Sequence, residues 1–273
     1  MSEHVYETAL GAASPDKITL LGHDLVEDVM GQVGFGELAF WLATQRRPTP
    51  GETRVFEAVL AALADHGYTP TAIVTRLTHL SAPDSVQGAL AAGLLAGGSR
   101  FLGVTEDCGR FLHDQLVGVD LPTDDEGWDA LALRTVQAQR EAKRFVPGLG
   151  HHVHKQGDPR TPKLMALAAE EGVTGPHLAL FAAIGRVHPQ VLGKTLPLNG
   201  AGVCGAVLAD LGLPLELLRG FALLARTAGL IGQLAEELRH PVANEIFLSV
   251  DLNNKPVDPD PYSPPSLDGG THG

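Results

Sequence analysis

Apolar residues recur at helical spacing along most of this chain. In residues 52–66, for example, Val55, Val59 and Leu63 fall on one face of a helix. Few segments alternate apolar and polar residues, and only residues 18–21 are typical of a short strand. The pattern therefore predicts an all-α protein.

Similar patterns and their start and stop signals divide the chain into further elements. The predicted helices cover residues 52–66, 84–95, 127–145, 162–171, 176–187, 198–211 and 215–239. Asp84 is the expected N-cap of the second helix, and Pro162 suits the first turn of the fourth. The tail, residues 251–273, holds five prolines, four aspartates and three glycines, so we expect an irregular arm or a disordered end.

The composition and net charge of the chain indicate which kinds of binding partner it can have. The chain has 273 residues, 44% of them apolar, which is enough for a sizeable core. Its formal net charge of −12 argues against nucleic acid and against an anionic membrane surface. An anionic small molecule would need positive charge concentrated locally, and the candidates for it are Arg100, Lys155, Arg160 and Arg226.

Cysteine usage and the N-terminus indicate the compartment. Cys108 and Cys204 show no spacing typical of a zinc site or a disulfide framework. No signal peptide is visible, and no apolar run reaches the roughly 18 residues of a membrane span. We therefore expect a reduced, cytoplasmic protein.

The segment 148–160 carries the most chemistry. It sets His151 behind two glycines, with Lys155 and Arg160 four and nine residues later. Glycines let backbone approach a ligand closely, histidine can move a proton near neutral pH, and arginine can grip a carboxylate with two hydrogen bonds. These residues together predict a site for an anionic substrate that needs acid–base chemistry.

Each candidate also has a simpler interpretation. His151 could cap a turn, Arg160 could pair with Asp158 at the surface, and Lys155 could be solvated. A histidine at the end of a helix, such as His66, is favoured by the helix dipole. The histidines at 151, 152 and 154 are poorly spaced for a closed zinc site, so we predict no metal.

The segment 148–160 resembles the G-x-G-H-x-V-x-K-x-x-D-P-R signature of the citrate synthase superfamily. Five further collinear segments resemble that family's pattern: residues 22–52, 64–67, 85–103, 197–214 and 221–229. The short chain and the sequence Gly98-Ser99-Arg100-Phe101 look most like citryl-CoA lyases, including the lyase module of ATP-citrate lyase. That module has a similar R-F-G-G in place of the synthase histidine.

The resemblance implies a fold and an activity. We expect a large helical domain (residues 1–101 and 213–250), a small closing domain (102–212) and a homodimer. The implied reaction is cleavage of citryl-CoA, with coenzyme A bound as a thioester. His151 would be the base and His66 would contact the substrate hydroxyl or a carboxylate. The implied substrate-binding residues are Arg100, Phe101, Arg160 and Arg226, and the implied coenzyme A contacts are Gly150, His154 and Lys155.

The chain also departs from the synthase pattern. Ala201 falls where synthases have the aspartate that moves the acetyl proton, Phe101 replaces a histidine, and Gln233 replaces another. Cleavage depends less on that aspartate than synthesis does, because bond breaking itself makes the enolate. The acids considered as substitutes are Asp65, Glu106 and Asp210.

Three functions therefore remain open at this stage. The first is a citryl-CoA lyase. The second is a condensing enzyme, or an enzyme for another acyl-CoA and keto acid. The third is a paralogue that binds without turnover, for which the losses at Ala201 and Phe101 argue. The chain shows no recognisable ATP-grasp or phosphohistidine module, so we do not expect it to be a whole ATP-citrate lyase by itself, and an ATP-dependent partner stays open.

Overall fold

A computed structural model of the chain describes residues 6–151, 154–259 and 261, and it is mainly helical, which confirms the all-α class. Its α-helices are α1 (Phe35–Thr44), α2 (Pro50–Ala64), α3 (Pro70–Ser81), α4 (Val86–Leu95), α5 (Val104–Leu116), α6 (Asp125–Glu141), α7 (Arg160–Glu170), α8 (Pro176–Leu192), α9 (Gly200–Asp210), α10 (Leu218–Glu237) and α11 (Ala243–Asp251). Two π-helical turns cover Leu25–Val29 and Ser99–Gly103, and a 3₁₀ turn covers Leu215–Leu217.

The expected strand is present with two partners. Strand β2 (Ile18–Leu20) lies between β1 (Gly11–Ala13) and β3 (His23–Asp24) in an antiparallel sheet. Neither partner strand was predicted, because Gly-Ala-Ala and His-Asp lack the β-branched residues that mark Ile-Thr-Leu as a strand.

All seven predicted helices are confirmed with shifted ends, while α1, α3, α5 and α11 were missed. Helix α2 begins at Pro50 because Thr49 and Glu52 form a capping box, and it ends at Ala64. The expected cap at Asp84 is wrong, since Ser85 accepts the hydrogen bond from the N–H of Gly88. Helix α3 was missed because β-branched residues weaken its helical signal.

One hydrophobic cluster forms the core. Phe56 lies edge-to-face against Phe40 and Phe221, with ring centroids 5.5 and 5.4 Å away. The cluster continues through Leu112 and Ile184, and so includes side chains from both predicted domains. The division into a large and a small domain therefore remains a prediction. If the small domain moved to close over the large one, the packing of this shared core would have to change.

The C-terminal tail begins with the last residue of a helix. Helix α11 ends at Asp251, so the first residue of the expected irregular tail is helical, and residues 254–259 have no regular structure. The rest of that prediction, residues 260 and 262–273, lies outside the described residues.

Cys108 and Cys204 are free and buried, and burial raises the pKa of the Cys204 thiol to about 12. Among the described helices, none is long and apolar enough to cross a bilayer.

A buried ionic network joins α3 to the end of α10. The guanidinium of Arg76 is fully buried and donates to Gln233 (2.8 Å), to Glu237 (2.7 Å) and to Glu236. Glu237 also accepts the backbone N–H groups of Val242 and Ala243, where α11 begins. The network therefore fixes three helices at one corner of the molecule.

We predict that Arg76→Leu lowers the free energy of unfolding by about 3–5 kcal/mol, because it leaves the carboxylate of Glu237 buried without its partner. Urea unfolding followed by circular dichroism measures this. The matched control is Arg186→Leu, which removes exposed pairs with Asp125 and Asp129 and should cost at most about 1 kcal/mol. Equal losses in the two variants would contradict the prediction.

Candidate active site

A cavity of about 270 Å³ lies between α2, α5, α9 and α10. Its lining consists of Leu63, His66, Thr69, Thr71, Arg100, Phe101, Leu102, Val104, Thr105, Gly150, His151, Arg160, Asn199, Ala201 and Arg226. Seven of the nine site residues predicted from the sequence are therefore in one place. His154 is not in the lining, but its ring centroid lies 5.7 Å from that of His66 and 4.6 Å from that of His151. Lys155 is exposed and also lies outside the lining.

The glycines of the signature place His151 at the cavity. Gly148 and Gly150 have φ of +83° and +93°, a region that favours glycine. A Cβ on Gly148 would also lie 2.7 Å from the ring of Phe181. Asn199 caps α9 through the N–H of Gly202 and donates to the carbonyl of Gly150 at 2.8 Å, which ties the loop to that helix.

Arg160 is already engaged with Asp158. Its Nε and Nη2 donate to the two carboxylate oxygens at 2.9 and 2.7 Å, and Nη1 donates to the carbonyl of Ala62 at 3.1 Å. Asp158 is only 2% exposed, so this is a buried pair and the surface pair considered above is wrong. Burial alone would raise the pKa of Asp158, but hydrogen bonds from Arg160 and Gly200 hold it well below the ordinary range. Two of the five guanidinium donors of Arg160 remain for a ligand.

Arg226 presents the opposite case. It is 5% exposed, and its Nη atoms donate to the hydroxyls of Thr69 and Thr71 and to the carbonyl of Leu63. Its Nε has no hydrogen-bond partner, and no carboxylate among the described residues forms an ion pair with it. Burial lowers the pKa of Arg226, and the carboxylate of Asp65 partly offsets this by raising it. The positive charge of Arg160 lowers the pKa further. A buried guanidinium in this state is stabilised by an anion that enters the cavity.

The loop after α2 positions His66. Gly229 of α10 allows this close approach, since a Cβ there would lie 1.9 Å from the carbonyl oxygen of Ala64. The carboxylate of Asp65 accepts from the N–H of Gly67 and from the side chain of Gln233, at 2.8 and 2.9 Å. Gln233, which stands where the family has a histidine, therefore links this loop to the network around Arg76. Because α2 ends at Ala64, His66 is not a helical residue as the sequence suggested.

Three histidine rings meet at one wall of the cavity. The ring centroid of His66 is 5.8 Å from that of His151 and 5.7 Å from that of His154. The backbone N–H of His154 donates to Nδ1 of His151 at 2.9 Å. A backbone N–H can only donate, so the neutral ring of His151 carries its hydrogen on Nε2. Burial lowers the pKa of His66, and the charge of Arg160 adds to this, which favours a neutral ring.

The same three rings are the candidate metal ligands of the described residues. Their ligand atoms lie within 4.8 Å of one another. A histidine that binds a metal through Nε2 keeps its hydrogen on Nδ1, which here faces another donor. Arg160 and Arg226 also place positive charge beside the cluster. These features disfavour a metal, and its absence remains a prediction.

Acidic side chains are missing from the described lining of the cavity. The three acids considered as substitutes for the lost aspartate are occupied elsewhere. Asp65 binds Gln233, Glu106 pairs with Arg110, and Asp210 accepts the N–H groups that begin α8. No carboxylate in the described cavity wall therefore replaces the lost aspartate at the position of Ala201, and the nearby Asp158, which accepts the N–H of Gly200, is paired with Arg160.

Sequence reasoning missed several lining residues. Thr69 and Thr71, which hold Arg226, flank Pro70 at the start of α3, and a Thr-Pro pair is a common helix start that could have drawn attention to them. Asn199 could have been recognised as an N-cap. Thr105 carries no local signal, because its position depends on how α5 packs.

The family is decided by a comparison that spans most of the chain. The family model described as citrate synthase, C-terminal domain, matches residues 18–247. The chain belongs to the citrate synthase family. This confirms the resemblance drawn from the signature segment.

Curated relatives in this family are longer than the chain. A probable ATP-citrate synthase of Dictyostelium discoideum is 24% identical over 82% of this chain and 37% of its own length. A citrate synthase of Deinococcus radiodurans is 27% identical over 79% of this chain and 55% of its own length. The chain thus spans between about a third and just over half of these relatives.

A solved structure matches the chain over its length. The citryl-CoA lyase from Hydrogenobacter thermophilus superposes with a TM-score of 0.81 at 27% identity, and covers 96% of this chain and 98% of its own. The fold of this family member is therefore similar to that of a short lyase.

We predict opposite stability effects for the two cavity arginines. Arg160→Met should lower the free energy of unfolding by about 3–5 kcal/mol, because it leaves Asp158 buried and unpaired. Arg226→Met should leave it unchanged or raise it, because it removes a buried charge that lacks a counterion. Urea unfolding without ligand measures both. A loss for Arg226→Met as large as that for Arg160→Met would contradict this picture.

We also predict a pH effect from His66. Because its pKa in the folded protein is lowered, the unfolded chain binds the proton more tightly, and stability is lost as pH falls from about 6.5 through the folded pKa. In His66→Gln the unfolding free energy should fall less steeply over that window, as measured by urea unfolding at several pH values. His240→Gln, at an exposed histidine, should follow the unmodified protein. Parallel curves for all three would refute the prediction.

Proposed function

We propose that the protein cleaves citryl-CoA to acetyl-CoA and oxaloacetate. The observation that carries this is the buried, unpaired guanidinium of Arg226 in a cavity whose described wall offers two further arginines and no carboxylate. Such a cavity suits a substrate with two carboxylates. Similarity to the Hydrogenobacter thermophilus lyase over nearly the whole of both chains supports the choice.

The three arginines of the cavity differ in which hydrogen-bond donors they keep for the substrate carboxylates. Arg226 would bind one substrate carboxylate through Nε and its remaining Nη donor. The second carboxylate would meet the spare donors of Arg160 and the exposed Arg100. Phe101, which is 43% exposed, would cover the substrate from the π-helical turn.

The histidines would handle the hydroxyl proton. Sequence analysis gave the role of base to His151, but its neutral tautomer presents an N–H at Nε2. We therefore assign proton acceptance to His66, whose lowered pKa keeps it neutral, and a hydrogen bond to the same oxygen to His151. Loss of the hydroxyl proton lets the carbon–carbon bond break, and its electrons move to the thioester as an enolate.

Cleavage rather than condensation is favoured by the lack of acidic side chains in the described cavity wall. Condensation requires a base to remove a proton from the methyl group of acetyl-CoA, and Ala201 stands at the family position for that base. Cleavage forms the enolate without one. The second candidate, a condensing enzyme, is favoured by the similarity to the Deinococcus radiodurans citrate synthase.

Coenzyme A would extend from the cavity along the signature loop. Gly150 lines the cavity, while its neighbour Leu149 lines a second pocket of about 260 Å³. The basic residues of that pocket are Arg140, Lys143, Arg144 and Lys194. Phosphate groups would bind there and at the exposed Lys155, which together with Gly150 and His154 was predicted to contact coenzyme A.

The assembly and compartment stay part of the proposal. We expect a cytoplasmic homodimer that handles an acyl-CoA and a dicarboxylate, without nucleic acid or membrane partners. Size-exclusion chromatography with light scattering tests the dimer.

The direct test follows oxaloacetate release from citryl-CoA with malate dehydrogenase and NADH. We predict turnover by the unmodified protein and a kcat lower by about 10²–10⁴-fold in His66→Gln, because general base catalysis contributes that range. His240→Gln should keep full activity. Coenzyme A release from acetyl-CoA and oxaloacetate, without citryl-CoA cleavage, would instead establish the condensing enzyme. Ligand binding without either reaction would indicate a paralogue that only binds.

A further inference from the structure

The hydroxyl of Thr105 lies in the cavity wall without a hydrogen-bond partner. Thr105 is 1% exposed, and its Oγ1 is fully buried and unbonded among the described residues. Buried polar atoms nearly always have a partner, so an orphaned hydroxyl on a residue that lines a cavity indicates a ligand or a bound water.

The other hydroxyls of the lining are already used. Thr69 and Thr71 lie 2.9 Å apart, oxygen to oxygen, and both accept from Arg226. Thr105 is therefore the described lining hydroxyl that remains available. It lies in the first turn of α5, directly after the π-helical turn that carries Phe101.

Helix packing places Thr105 against the helix that carries the position of the lost aspartate. Helix α5 meets α9 at Gly205, where a Cβ would lie 2.1 Å from the carbonyl oxygen of Thr105. Ala201 precedes Gly205 by one turn of α9 and lines the same cavity. Thr105 and Ala201 therefore line the same cavity from two helices that pack closely at Gly205.

We propose that the Thr105 hydroxyl holds the water molecule that protonates the enolate released by carbon–carbon cleavage. This rests on the proposed lyase function. The enolate carbon takes a proton from that water and becomes the methyl group of acetyl-CoA. The hydroxide left behind takes the proton that His66 had accepted from the substrate hydroxyl. Water and imidazole are regenerated, so protons and electrons balance without a further reactant.

The test compares Thr105→Val, which removes the hydroxyl at nearly constant shape, with Thr105→Ser, which keeps it. With citryl-CoA, Thr105→Val should lower kcat about 10- to 100-fold, the effect of one hydrogen bond in a buried site, with KM little changed. Thr105→Ser should retain most activity. Thr135→Val, at a buried threonine of α6 outside the cavity, is the matched control.

A second readout separates proton transfer from structure. Exchange of the acetyl-CoA methyl protons with D₂O, in the presence of oxaloacetate, should slow in Thr105→Val and recover in Thr105→Ser. A merely structural role would not produce recovery by serine. Thermal unfolding confirms that each variant is folded, and Thr105→Ala replaces the valine variant if it is not.

The outcomes distinguish the two proposals. If the unmodified protein does not cleave citryl-CoA, both the lyase function and the role of Thr105 fall. If it does, and Thr105→Val keeps its kcat and its exchange rate, only the role of Thr105 is overturned. A serine variant as slow as the valine variant would also overturn it, since the methyl group rather than the hydroxyl would then matter.

Discussion

The buried ion pair between Asp158 and Arg160 holds the site together. Its carboxylate accepts from the guanidinium and from the N–H of Gly200, while the guanidinium reaches the carbonyl of Ala62. One pair therefore joins the start of α7, the start of α9 and the end of α2. Those three helix ends carry the signature loop, the position of Ala201 and the loop of His66. A site assembled from distant segments depends on such a junction for its geometry.

Arg226, unlike Arg160, has no carboxylate partner among the described residues. The two arginines lie at the same cavity, but one is neutralised by a neighbour in sequence and the other has only threonine hydroxyls and a carbonyl. The ion pair of Arg160 contributes to the folded state, whereas Asp65 offsets only part of the effect of burial on Arg226, which a bound anion would offset further. The cost of that buried charge is consistent with a binding role, since functional sites commonly sacrifice stability.

The whole-protein charge and the local charge have opposite signs. A chain with a net charge of −12 keeps its acids out of the described cavity wall, where arginines and histidines gather. The positive charge gathered there suits an anionic ligand, and burial together with the charge of Arg160 lowers the pKa of His66. The described wall also holds no carboxylate base for enolate chemistry, so in the proposed cleavage the protons would move through imidazole and water.

The sequence by itself determined the helical class, the family and seven of the fifteen residues that line the described cavity. Those conclusions rest on local signals: helical periodicity, glycines with positive φ, and a long motif that includes His151 and Arg160. It could not give α3 or α5, whose propensities are weak, or the partners of each charged group. Only the tertiary structure decided that Arg160 is paired and Arg226 is not, because the two are distinguished by a neighbour and by burial. It also decided where Thr105 lies, since a glycine contact between two helices far apart in sequence sets that position.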